Sequence, residues 1–161
     1  MQPLQPQHIA SLQKIFDSNS YIYTDAGLDY LKNAQDIFAN PQLPKHGKIE
    51  NDRKYCVFNQ QNEMLAYINY YVFYRDKPVI YIADLFVDSS RHRTGIGRSI
   101  MRELEAVWKQ DGITHAVLNV FFSNFDALNF WVNIGYIAIK GTIPATSEAT
   151  RDAMIRLEKT L

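Results

Sequence analysis

The run Asp84–Ile100 constrains this chain more than any other. An apolar strand, Val79–Val87, passes through a short polar turn into a Gly-x-Gly step and then directly into an amphipathic helix. Ile100, Leu104, Val107 and Trp108 recur there at helical spacing. The first N–H groups of such a helix have no partner within it. Gly95 and Gly97 let the backbone approach a ligand without a Cβ in the way. With the positive end of the helix dipole and Arg93 and Arg98 alongside, these donors suit a phosphate or pyrophosphate. A nucleotide-binding P-loop requires Gly-Lys-Ser/Thr, and Gly97 is followed by Arg98-Ser99. A dinucleotide fingerprint requires Gly or Ala where Ile100 stands, and an acidic residue about 20 positions on. Neither pattern is met. A tight strand-to-helix turn with no ligand would use the same two glycines.

The chain's 161 residues suffice for one domain with a real core, spanning 1–161, and are too few for two comfortable ones. Seventeen basic residues balance 17 acidic ones, so no overall field attracts nucleic acid or an anionic membrane. The single Cys56, in the run Tyr55-Cys56-Val57-Phe58, excludes an internal disulfide and reads as a buried small residue. No early apolar run resembles a signal peptide and none is long enough to span a bilayer, which predicts a cytoplasmic protein.

Met1–Leu4 reads as a short edge strand and 7–17 as a helix with Ile9, Leu12, Ile15 and Phe16 on one stripe. A second helix is expected from about Thr24–Ala26 to Ala39, closed by Asn40-Pro41. Pro41–Lys54 reads as a long loop, either a substrate lid or a solvated linker. Strands Tyr55–Asn59, Met64–Tyr74 and Val79–Val87 form an antiparallel meander. The helix Gly97–Gln110 then connects to a parallel strand, Thr114–Val120. A helix at Asn124–Asn133 and closing strands Tyr136–Lys140 and Ala153–Leu161 complete an α/β (α+β) fold with a mixed, mostly antiparallel sheet.

Two segments now carry a resemblance. His92-Arg93-Thr94-Gly95-Ile96-Gly97 resembles motif A of the Gcn5-related N-acetyltransferases (GNAT), Gln/Arg-x-x-Gly-x-Gly/Ala, with His92 in the first position. Asn124-Phe125-Asp126-Ala127-Leu128-Asn129-Phe130-Trp131, continuing to Gly135-Tyr136, resembles motif B, Asn-x-x-Ala-x-x-Phe-Tyr-x-x-x-Gly-Phe/Tyr. The two lie in the family's order with a strand between them. The resemblance covers roughly residues 64–140.

It implies acetyl-CoA as cosubstrate, lying in a V-shaped opening between the two parallel strands, and an amine acceptor on a small molecule or peptide. His92, Arg93, Thr94, Gly95, Ile96, Gly97, Arg98 and Ser99 would hold the diphosphate. A bulged strand end, Leu85-Phe86-Val87, would pair with pantetheine, and an N–H near Phe86 or Val87 would hold the oxyanion. Asn124, Ala127, Phe130 and Trp131 would border the pantetheine arm. No metal is implied, and a homodimer is allowed.

The chain departs from the family at two positions. Trp131 replaces the Tyr that protonates the leaving thiolate in many members, and an indole N–H is not a usable acid. Ala83 replaces a carboxylate found in polyamine-type members. Asp84 is left as candidate base, or as a buried carboxylate pinning a loop. Asn119 interrupts a central strand and either binds the acceptor or a water, or is a satisfied core amide. Tyr21, Tyr23, Tyr67, Tyr70, Tyr71 and Tyr74 line an acceptor cleft or, for the most part, fill the sheet core and rim. Two functions stay open: an N-acetyltransferase, and a domain that binds acyl-CoA without transfer.

Overall fold

Leu12, Ile15 and Phe16 lie three and four residues apart, so a helix sets them on one face, and all three are fully buried on α1 (Ile9–Ser18). The computed structural model describes residues 1–21, 33–145 and 153–161. Of the second expected helix, residues 22–32 lie outside this description. The observed part is α2 (Ala34–Ala39), capped by Asn33, whose Oδ1 accepts the N–H of Gln35 at 2.9 Å. Among the described residues, no helix is long and apolar enough to cross a membrane.

The strands are β1 (Gln2–Pro3), β2 (Asp52–Phe58), β3 (Met64–Tyr71), β4 (Val79–Val87), β5 (His115–Phe121), β6 (Ala138–Ile143) and β7 (Met154–Thr160). They form one sheet in the order β1-β2-β3-β4-β5-β7-β6. The β2-β3-β4 meander is antiparallel and β4-β5 is the parallel pair, as the sequence predicts. Helix α3 (Ile96–Gln110) makes the crossover and α4 (Phe125–Asn133) follows β5. The expected loop is shorter than Pro41–Lys54, because Asp52–Lys54 belong to β2. The second meander strand ends at Tyr71, ahead of left-handed Phe73.

Both faces of the sheet are covered. Ile100, Met101, Leu104 and Trp108 of α3 pack on Ile80, Ile82, Ala116 and Leu118. On the opposite face α1 and α2 pack on Cys56, Tyr67 and Phe86. Each buried Ile, Leu, Met or Phe among them contributes about 1.5–3 kcal/mol through burial. The helix ends are fixed locally. Gly135 takes φ +100° after α4, so its N–H reaches Val132 O and the Tyr136 N–H reaches Trp131 O, both at 3.0 Å. Tyr136 and Lys159 both donate to Glu105, at 3.0 and 2.5 Å, tying α3 to β7. Strand β6 is an exposed edge. Lys140 is an extra residue between the pairs Ile139–Leu157 and Gly141–Arg156, and it reaches Glu158 at 2.8 Å.

Candidate active site

Strands β4 and β5 pair only from Val79–His115 to Ile82–Leu118. Both then run on, to Val87 and Phe121, without pairing to each other. The divergence begins at a bulge. Asn69 of β3 opposes Asp84 and Tyr70 opposes Ile82, which leaves Ala83 as the extra residue. The bulge therefore lies at Ala83, just before Asp84 and two residues ahead of the expected bulged strand end Leu85–Val87. Its effect is a change of face. Ile80 and Ile82 point to the α3 side, and after Ala83 that side is taken by Leu85 and Val87.

Backbone direction follows from the same register. The Asp88 N–H bonds Leu65 O at 2.9 Å, so in the antiparallel ladder Asp84, Phe86 and Asp88 turn their backbone groups to β3. Leu85 and Val87 turn theirs to the open side. Val87 O is occupied there by Asn19 Nδ2 at 3.0 Å and lies 3.0 Å from His92 Nε2. Of the two expected oxyanion donors, Val87 thus faces the opening and Phe86 faces β3, with Leu85 the second outward residue. Asn19, fully buried, also bonds Ile15 O at 2.8 Å and so pins the end of α1 to β4.

A groove of about 480 Å³ fills the opening on the α3 side, within the usual size for small-molecule sites. Leu85, Phe86 and Val87 form its strand wall. His92, Arg93, Gly95, Gly97 and Arg98 form its end at the start of α3, and Asn124, Ala127, Phe130 and Trp131 its α4 wall. Thr94, Ile96 and Ser99 do not line it. Thr94 Oγ1 bonds Arg91 O at 2.6 Å, Ile96 packs on the core, and the Ser99 N–H bonds Gly95 O at 3.0 Å within the helix. Since Ser99 makes that first bond, the N–H groups of Ile96, Gly97 and Arg98 stand ahead of the helical ladder.

Gly95 takes φ +90° as the residue before α3, a conformation that costs other L-residues energy. Gly97 serves a different purpose: a Cβ there would lie 3.2 Å from the Phe130 ring. Asn124 caps α4 through Oδ1, accepting the Ala127 N–H at 3.0 Å. Trp131 is buried between Phe130 and Tyr136, each with its ring centroid 5.0 Å away. Sequence reasoning missed Asn19, Arg91, Asp126, Asn129 and Asn133, which also line the groove. For the last three, their spacing at three and four residues along α4, beside Ala127 and Phe130, was the available signal.

The opposite side of the bulge opens on a second cavity, of about 270 Å³, roofed by Gln42–Lys45. Asp84, half-buried, lines it together with Ala83, Asn69, Lys54, Tyr74, Tyr81 and Arg156. Burial pushes the Asp84 carboxyl up to about 7; the Lys54 ammonium opposes this and Asp52 adds to it. Lys54 itself pairs with Asp52, whose Oδ1 accepts from Asn69 at 2.7 Å. Asn119 does not line either opening. Its Nδ2 donates to the Tyr81 hydroxyl at 3.1 Å and its Oδ1 accepts from Arg156 Nε at 3.0 Å, so it is a satisfied amide. Tyr81, its hydroxyl pushed up to about 12 by burial, stacks on Tyr74 at 5.1 Å. Of the tyrosines singled out by sequence, only Tyr74 lines this cavity and Tyr21 the groove; Tyr67, Tyr70 and Tyr71 are core, and Tyr23 lies outside the described residues. Cys56 is fully buried, its thiol pushed up to about 12 by burial.

The sequence matches none of the curated proteins. Among solved structures, the fold is similar to a GCN5-related N-acetyltransferase from Kribbella flavida, with TM-score 0.72 and 15% identity over 99% of this chain and 96% of that one. It is also similar to the ribosomal-protein-S18-alanine N-acetyltransferase from Escherichia coli, with TM-score 0.67 and 16% identity over 98% and 90%. A Bacillus subtilis acetyltransferase in complex with CoA aligns with TM-score 0.59 and 15% identity over 70% and 79%. At these identities the likeness concerns the fold. The acetyltransferase (GNAT) family model matches residues 12–136, most of the chain and both motifs, so the chain belongs to the GNAT family of acyltransferases.

Proposed function

We propose that this protein transfers an acetyl group from acetyl-CoA to a primary amine of a small molecule or peptide, by direct attack through a tetrahedral intermediate. The observation that carries this reading is the divergence at Ala83, which turns Leu85 and Val87 toward one opening and Asp84 toward the other. The groove would take CoA, its diphosphate against the N–H groups ahead of α3 with Arg93 and Arg98 alongside. The cavity at Asp84 would take the acceptor.

In the reaction, the neutral amine nitrogen attacks the thioester carbonyl carbon, forming the C–N bond. Outward N–H groups of Leu85 and Val87 stabilise the oxyanion, an effect of about 2.7–4 kcal/mol per donor. The C–S bond then breaks and CoA leaves as thiolate. Ionised Asp84, directly or through a water, takes the amine proton and afterwards returns it to solvent or thiolate. Trp131 supplies no proton, and a thiol of pKa about 8.5 leaves without one. Asn119 serves as a positioning residue for Tyr81 and Arg156. On this proposal residues 1–161 act as one domain in the cytoplasm, with no nucleic-acid or membrane partner, and as a homodimer if two copies associate.

A thiol-release assay with acetyl-CoA and a panel of amines tests the reading. Amine-dependent release supports it. CoA binding without release on any amine supports the alternative, an acyl-CoA-binding module.

A further inference from the structure

The charges around the second cavity do not balance. Among the described residues, Lys45, Lys54 and Arg156 line it against a single carboxylate, Asp84. Lys54 is already paired with Asp52. Arg156 is not paired: among the described residues no carboxylate lies within 4.0 Å of its guanidinium, and the nearby Glu158 is engaged by Lys140. Nor is the side chain free to swing. Arg156 Nε is held by Asn119 Oδ1, and Asn119 by the Tyr81 hydroxyl, at 3.0 and 3.1 Å. Arg156 therefore lines the cavity as a half-buried, oriented guanidinium whose terminal nitrogens have no partner among the described residues. A planar fork of N–H donors in this state is complementary to a carboxylate, which it meets through two parallel bonds.

We infer that the acceptor is a primary amine that also carries a carboxylate, received by Arg156 while the amine faces Asp84. This rests on the reading of the cavity as the acceptor site. Asp84 on β4 and Arg156 on β7 line the same cavity from either side of β5. Its volume of about 270 Å³ admits a short amino acid. Exposed Lys45, on the roof, adds a second positive charge at the entrance.

The experiment compares amines of similar basicity with and without the acid group: β-alanine against n-propylamine, and γ-aminobutyrate against n-butylamine. Wild type is expected to favour the acids by about tenfold or more in kcat/KM, the effect of one charge-assisted hydrogen bond. Arg156→Gln should bring the ratio close to one, mainly by raising KM for the acids, and Arg156→Lys should recover part of it. Equal or better turnover of the neutral amines by wild type overturns the inference while leaving acetyl transfer standing, as does a preference that survives in folded Arg156→Gln. If that variant does not fold, competition by propionate against the acceptor in wild type decides, its absence overturning the inference. If no amine in the panel releases thiol, calorimetry of β-alanine into CoA-loaded wild type separates the cases. Heat of binding there supports the carboxylate site and counts against transfer, and no heat removes both.

Discussion

Asp84 and Leu85 are consecutive in the chain and line different openings, Asp84 the cavity beneath Gln42–Lys45 and Leu85 the groove at the start of α3. The extra residue Ala83 produces this division. With regular alternation Asp84 would follow Ile80 and Ile82 into the apolar core beneath α3, where an unpaired carboxylate is costly.

Replacing that carboxylate tests its role in the reaction. Asp84→Asn should lower kcat by roughly 10²–10⁴-fold, the usual contribution of a positioned base. In wild type, kcat should rise with pH and level off above about 7, because the base acts when ionised. The variant should lack that limb. Thiol release measured from about pH 5.5 to 9 checks both.

The same group makes stability depend on pH. In the unfolded chain Asp84 loses its proton near 3.8, whereas the folded protein holds it until about 7. Between those values the folded state binds more protons, so this carboxyl lowers stability progressively as pH rises from about 4 to about 7, and by a constant amount above. Asp84→Asn should remove that decline. Thermal melts should place the variant above wild type at pH 8, with the difference shrinking toward pH 4.

Gly95 and Gly97 should fail differently. No atom lies within 4 Å of a Cβ built at Gly95, so Gly95→Ala should cost about 1–2 kcal/mol of stability from its φ of +90° and keep CoA affinity within about tenfold. With the diphosphate held as proposed, Gly95→Asp should abolish CoA binding with the fold intact, because its charge would oppose that group. Calorimetry with CoA alongside urea melts separates strain from repulsion.

Trp131→Tyr asks whether a phenol at this position supplies the missing acid. Trp131 is buried between Phe130 and Tyr136, so packing is its evident role. Turnover should change by less than about threefold, since protonating a thiolate of pKa about 8.5 removes little of the barrier. A rise of about a hundredfold would make general acid catalysis the limiting deficit.

Glu105→Ala should destabilise the fold by about 2–4 kcal/mol, because it strands the Lys159 ammonium and the Tyr136 hydroxyl in partly buried positions. Lys159 retains Ile134 O at 2.8 Å, which limits the loss. Urea denaturation of the variant measures it.

The helix-forming glycine step and the α4 segment were legible in the sequence because periodicity and capping chemistry act locally: Asn124, Gly135 and the Ile100–Trp108 stripe each state their own geometry. The meander and the parallel crossover followed from order alone. The bulge was harder to place. Its only trace is the shift of the inward apolar residues from Ile80 and Ile82 to Leu85 and Val87, which resembles an ordinary apolar run in a strand buried on both faces. Asn119 and Arg156 meet through the pairing of β5 with β7, 37 residues apart in sequence, and no local pattern announces such a contact. Likewise Asn19, which stops α1, gives no hint in sequence of its bond to Val87 O.

The outer margin of the sheet has a consequence for how the protein behaves in concentrated solution. Lys140 breaks the even spacing of donors and acceptors along β6 and anchors a charge on that rim, while the far margin, β1, is only two residues long. A neighbouring molecule searching for a continuous ladder to extend finds none on either side, so fibril-like stacking is discouraged despite the solvent-facing side chains of Ile137 and Ile139.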